Sequence, residues 1–299
     1  MSVGWPCAVA ALLLAGGCGE APPERQGMVA ADAAVVVVGL GAGGHMAQQL
    51  HFAHSSTIDA AGVIAAGPYG CALGDRRRAD GVCTGGGRLD LAAVSHTARD
   101  AAAAGDIDTL NHLDGDRVWI SPGWSDSAVD DEAVFGAYEL YEDYLAPGDA
   151  VYGQRCDGAV ADCARGLVDV MLAHLRPASP VAGEPAVTTR FVDVPALAAA
   201  GIDRRVALTV PAVCEQAGGC GLLLVLAGCD GLPASLRAAL DAAAPSRRLL
   251  VAYPDVADGA PQPCWDWWGA RGADYRSREA PQIEALRALL TRLRQPGDE

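Results

Sequence analysis

Gly39, Gly41, Gly43 and Gly44 fall in the stretch AVVVVGLGAGGHMAQQL, residues 34–50, where a β-branched run breaks into a turn and then a helical pattern. Two kinds of chemistry use that plan. Gly39, Gly41 and Gly44 satisfy G-x-G-x-x-G, the loop that seats a dinucleotide pyrophosphate on a helix N-terminus. Gly39 and Gly43 satisfy the outer positions of G-x-S-x-G, the elbow that lifts a nucleophilic serine above a sheet, with Gly41 at the serine position. The second reading supplies an elbow that has no attacking oxygen.

A dinucleotide loop needs an acidic residue about 20 positions on, at the end of the second strand, to hold the ribose hydroxyls. The strand there, AGVIAAGPYGC, ends without one, since Asp59 precedes it and Asp75 lies well beyond it. A dinucleotide-binding protein is therefore the remote reading.

The elements that position this turn follow from apolar runs. Short runs of the kind buried on both faces occur at 34–38, 62–66, 118–121, 206–210, 221–226 and 249–253. Helical patterns lie between several of them: residues 43–54, 131–145, 162–175 and 233–244, with 280–293 closing the chain. Such alternation predicts an α/β fold with a mainly parallel sheet flanked by helices.

The first eighteen residues hold an apolar stretch at 8–14 followed by small residues, the pattern of an export signal. Leu-Ala-Gly-Gly before Cys18 has the form of a lipobox, which makes Cys18 the expected site of lipidation and membrane attachment. Residues 19–33 are polar and Pro-containing and read as a tether, leaving 34–299 as one domain. The location expected is the cell envelope, or outside the cell.

Net charge is −15, which disfavours nucleic acid as a partner. Setting aside Cys7 and Cys18, the ten cysteines leave eight: Cys71, Cys83, Cys156, Cys163, Cys214, Cys220, Cys229 and Cys264. An even number in an exported chain argues for disulfides, and nearness in sequence favours 71 with 83, 156 with 163 and 214 with 220, leaving 229 with 264. Closely spaced cysteine pairs of the zinc type are absent, so no metal is expected.

Four blocks, in order, carry a family resemblance. The segment GLGAGGHMAQQLHFAHSSTIDAAGVIAAGPYGCALG resembles the elbow region of secreted poly(3-hydroxybutyrate) depolymerases, which begins G-L-S-A-G-G. GDIDTLNHLDGDRVWISPGWSDSAV, LLLVLAGC and PCWDWWGARGADYRSREAPQIEALRALLTRL are similar to that family's later motifs, the Trp-rich block most specifically. The resemblance implies a circularly permuted α/β-hydrolase fold, with the elbow first in the chain and the oxyanion-like strand at 221–228 late. It also implies that the helix 281–294 packs beside the first strand, bringing the two ends together.

Ester hydrolysis on this scaffold needs a serine hydroxyl, a histidine base, an aspartate to hold it and two backbone donors for the oxyanion. By resemblance Asp126 occupies the acid position, while Ala42 and Cys229 supply the oxyanion N–H groups. Ala227 stands where the family has the histidine of H-G-C. The nucleophile is absent at Gly41; the resemblance puts the base in a G-H motif between the acid loop and the next helix, and no histidine lies between His112 and His174. His174 reads as a helix-surface residue, and His45, His51 and His54 ride the helix after the elbow without an assigned role.

The sequence thus reads as an inactive depolymerase-like protein, acting as an envelope binding or scaffold protein with no cofactor. It would hold a polyester, acyl or hydrophobic ligand in the old cleft. Trp124, Trp265, Trp267 and Trp268 are candidates for the cleft wall, and core packing is the competing reading for them. The alternative function is an active serine-type esterase or depolymerase using a non-standard site.

Overall fold

The computed structural model describes residues 28–30, 32–125, 127–179, 186–217, 220–260 and 264–295. The elements run β1 (Val35–Leu40), α1 (Ala42–Ala53), β2 (Ala60–Ile64), α2 (Arg76–Asp80), α3 (Leu91–Ala104), β3 (Arg117–Ser121), α4 (Asp131–Glu142), β4 (Ala150–Tyr152), α5 (Val160–Leu175), β5 (Val187–Asp193), α6 (Ala196–Ala199), β6 (Arg205–Pro211), α7 (Ala212–Ala217), β7 (Gly221–Leu226), α8 (Ala234–Arg247), β8 (Leu249–Tyr253) and α9 (Pro281–Arg294).

The strands form one sheet in the order β4-β3-β2-β1-β7-β8-β6-β5. All neighbours are parallel except around β6, which runs antiparallel to both β8 and β5. β1 therefore sits near the middle, with β2 on one side and the late strand β7 on the other. That adjacency of early elbow strand and late oxyanion-side strand is what a circular permutation of the hydrolase sheet demands.

Alternation along β1 explains the two cores. Val35 and Val37 join the layer containing Met46 and Leu50 of α1 and Leu286 and Leu290 of α9. Val36 and Val38 face the other way, onto Met171 of α5 and Leu240 of α8. A strand buried on both faces must be apolar at every position, and a valine run meets that requirement. The permutation closes on itself, for the Val29 N–H donates to the Leu293 carbonyl at 3.1 Å, tying the segment before β1 to the end of α9.

Two strands differ from expectation by absence. β4 has only three residues, too few for a periodic signal, and β5 is an edge strand exposed along most of its length. A search for apolar runs finds buried strands and passes over an edge strand of this kind. β2 also begins two residues earlier than its apolar run. Ala60 and Ala61 pair with Val36 and Val37, and Asp59 Oδ2 accepts the Val35 N–H at 2.7 Å, so tertiary pairing overrides the weak strand preference of alanine.

Four disulfides join Cys71 to Cys83, Cys156 to Cys163, Cys214 to Cys220 and Cys229 to Cys264. Such bonds persist in oxidising compartments. The first 18 residues, including the lipobox and Cys18, and most of the tether lie outside the described residues.

Candidate ligand site

The turn between β1 and α1 is shaped by glycines doing different jobs. A Cβ on Gly39 would lie 2.0 Å from the Gly43 carbonyl oxygen, and one on Gly43 would lie 2.1 Å from that of Leu226. At both positions backbone approaches so closely that no side chain fits. Gly41 differs. Its φ of 54° and ψ of −117° form a strained backbone that suits glycine, yet an added Cβ would meet nothing within 4 Å. The Gly41 N–H donates to the Ile64 carbonyl at 2.9 Å, and its own carbonyl accepts from the His45 N–H at 3.0 Å, so the elbow is held from both sides.

Above Gly41 lies a cavity of about 510 Å³ at the carboxyl ends of the central strands. Leu40, Gly41, Ala42 and His45 form its floor; Trp124 and Val129 come from the loop after β3, Val160 from the start of α5, Gly228 to Pro233 from the loop after β7, and Trp267 from the segment before α9. Ala42 opens α1, and the first N–H groups of a helix have no carbonyl one turn back to bond. Ala42 and Cys229 both border the cavity. Asp126, the expected acid, lies outside the described residues.

Among the described residues lining the cavity, His45 is the imidazole. It is 3 % exposed and lies flat on Trp267, ring centroids 4.0 Å apart with planes 9° from parallel. Burial pushes its pKa down to about 3, so the ring is neutral at physiological pH. Its Nε2 is buried with no hydrogen-bond partner. The hydroxyls bordering the same space are engaged with backbone: Thr84 Oγ1 donates to the carbonyls of Asp80 and Gly81, and Ser127 Oγ accepts from the Trp124 N–H.

Trp267 is held by a buried polar scaffold. The Asp266 carboxylate, 4 % exposed, accepts from the N–H groups of Gly269, Ala270 and Arg271 at 3.0, 2.7 and 2.8 Å. Gln282 Oε1 accepts the Asp266 N–H, and Gln49 Nε2 donates to the Trp267 carbonyl, each at 2.7 Å. Gln48 does the same for the segment after β2, donating to the Gly67 carbonyl and accepting from the Tyr69 N–H. Trp124 is braced by Arg155, whose Nη1 donates to its carbonyl at 2.6 Å while the guanidinium also pairs with Asp131.

Two of the four candidate tryptophans, Trp124 and Trp267, border the cavity. Trp265 does not. It is 1 % exposed and its indole N–H donates to the Ala227 carbonyl at 3.0 Å, which makes it a core residue fastening the loop to the end of β7. Trp268 is half-buried, with the Arg76 guanidinium over its ring. His51, further along α1, serves the fold: it contacts the Tyr141 hydroxyl and Asp116 at 3.0 and 3.1 Å, inside the core. His174 contacts the Asp149 carbonyl.

His45, Gln48, Gln49 and Asp266 are the participants that sequence reasoning missed. One signal was available: His45 follows Gly41 by four residues, one helical turn, which places it on the face beneath the elbow.

No family model matches the sequence. A curated poly(3-hydroxybutyrate) depolymerase of Delftia acidovorans is 28% identical over 296 residues, covering 86% of this chain and 59% of the relative, so the chain spans about three fifths of that protein's length. The crystal structure of PHB depolymerase from Penicillium funiculosum superposes with a TM-score of 0.76 at 20% identity, covering 90% of this chain and 96% of that one. A PHB depolymerase variant complexed with R3HB trimer gives 0.75 at 20% identity, covering 89% and 96%. The structural matches show the fold, and the sequence match extends the family resemblance over most of the chain.

Proposed function

We propose that this poly(3-hydroxybutyrate) depolymerase-like chain is an exported binding protein that accommodates polyester or acyl segments above Gly41 without cleaving them. The observation that carries the reading is the turn itself: an elbow with open space for a side chain and glycine in the place where a hydroxyl would attack. Without an oxygen at that position no acyl-enzyme can form there. Nor does His45 serve as a base. A general base is effective when its pKa lies near the working pH, and burial holds this imidazole near 3. The cavity's aromatic and aliphatic lining and its volume of about 510 Å³ suit a small apolar ligand, and one matched structure is of a PHB depolymerase complexed with R3HB trimer. Ala42 and Cys229, as backbone donors, and Asp126, at the acid position, are read here as remnants of the hydrolytic site.

Purified protein tests the reading in two assays. Turnover of p-nitrophenyl butyrate is expected at the uncatalysed rate, and the protein is expected to co-sediment with polyhydroxybutyrate granules. Turnover abolished by Asp126→Ala would establish the esterase alternative instead. For the envelope location, metabolic labelling with a fatty acid is expected to mark the full-length chain and not Cys18→Ala.

A further inference from the structure

We infer that Gly41 is a specificity-determining residue: with no side chain at the elbow the cavity floor is sunk to the backbone, and the hollow seats the apolar β-branch of an ester's acyl chain, such as the methyl of a 3-hydroxybutyrate unit. The inference rests on the binding function proposed above and names the part of the ligand that the same site reads.

The first ground is space. On either side of Gly41 the turn is jammed, since a Cβ on Gly39 or Gly43 would meet backbone at 2.0 or 2.1 Å, whereas one on Gly41 would meet nothing within 4 Å. Gly41 borders the cavity, so that open space is part of it. Of the floor residues, Leu40 and Gly41 are half-buried and present surface to the cavity, while Ala42 and His45 are buried. A ligand resting on the floor therefore touches Leu40 and the Gly41 backbone. Hydrogen bonds to the Ile64 carbonyl and from the His45 N–H hold the peptide groups of Gly41, so the depth of the hollow is set by the main chain.

The second ground is polarity. Leu40 and Gly41 carry no side-chain donor or acceptor, and His45 is buried against Trp267. The Thr84 and Ser127 hydroxyls that border the same cavity are engaged with backbone. A water settles in a cavity when it finds about two to four polar partners, so the side chains here hold it poorly and an apolar group gains by displacing it. A methyl branch is such a group. The ester oxygens of the same unit are left for the backbone donors at Ala42 and Cys229.

Isothermal titration with the methyl esters of two trimers tests this: (R)-3-hydroxybutyrate, with a methyl branch on each unit, and 3-hydroxypropionate, with none. The unmodified chain is expected to bind the branched trimer at least about fourfold more tightly, the worth of one buried methylene. Gly41→Ala puts a methyl into the hollow and is expected to bring that ratio to about one or below, because the two methyls then compete for one space. Both ligands are titrated into the same sample, so partial unfolding of the variant leaves the ratio intact, and a thermal melt reports its extent. An unmodified chain without the preference, or a folded Gly41→Ala that keeps it, overturns the inference. Ethyl 3-methylbutyrate and ethyl butyrate pose the same question without a polyester. If that pair shows the preference and its loss in Gly41→Ala while neither trimer binds, the polyester reading fails and the role of Gly41 stands; if neither pair binds, both fall.

Discussion

His45 and Trp267 lie face to face across the floor of the cavity, the imidazole reached from the elbow helix and the indole from the segment before the last helix, more than two hundred residues apart in sequence yet with ring centroids 4.0 Å apart. The contact removes the imidazole from water, and that sets its charge.

Acid sensitivity follows. The folded chain holds His45 neutral down to about pH 3, whereas an unfolded histidine takes up a proton near 6.5. Above that value the two states bind equal protons and the site adds no pH dependence. Below it the unfolded state binds one more, so stability falls with pH at up to about 1.4 kcal/mol per unit. His54, whose pKa burial also lowers, acts in the same direction. Urea midpoints measured at pH 7.5 and 5 should show the loss, and His45→Phe should flatten it.

Gly41→Ser is expected to fold and to gain little hydrolysis. The new side chain enters open space, and the positive φ costs about 1–3 kcal/mol. Among the described residues lining the cavity the imidazole is His45, held near 3 by burial, so hydrolysis of p-nitrophenyl butyrate should stay within about tenfold of background, since a triad member lacking its partners recovers little. A large rescue would mean that a working base is present.

Gly43→Ala should behave oppositely. Its Cβ would sit 2.1 Å from the Leu226 carbonyl oxygen, forcing α1 away from β7 at the centre of the sheet. A loss above about 4 kcal/mol, among the largest for a single substitution, is expected in chemical denaturation.

Asp266→Ala strips the acceptor from three N–H groups at once. The three donors belong to half-buried residues, so at about 1 kcal/mol for each hydrogen bond lost the loss should be about 3 kcal/mol. Ligand affinity should fall as well, because the Trp267 segment loses its brace. Trp fluorescence and a thermal melt on one sample would read both.

The disulfides should not be equivalent. Cys229–Cys264 closes a separation of 35 residues and Cys214–Cys220 one of 6, so the chain-entropy account gives about 4 and about 2 kcal/mol respectively. Paired Cys→Ser variants compared by denaturation test that order, and only the first pair, which ties two walls of the cavity together, should also weaken binding.

How much of this was legible depended on the kind of signal. β1, β7 and β8 are buried on both faces and so announce themselves as apolar runs, and the elbow glycines mark a turn that few residue types can make. β5 lies at the sheet edge, where exposure removes the apolar pattern. Trp265 and Trp267 are two positions apart and chemically alike, and nothing in their sequence says that one bonds the Ala227 carbonyl in the core while the other faces the cavity. His45 and Asp266 acquire their roles only through partners brought by the fold, so composition and spacing carry little trace of them.

The hydrogen bond from Val29 to Leu293 has a directional consequence. It fixes where the polypeptide enters the sheet, at the amino end of β1, while the cavity opens past Leu40 at the carboxyl end of that strand. Six residues of extended chain, about 20 Å, separate the two edges. The described chain therefore enters at the end of the sheet opposite the mouth of the cavity, so residues joined ahead of it do not cross the ligand's way in.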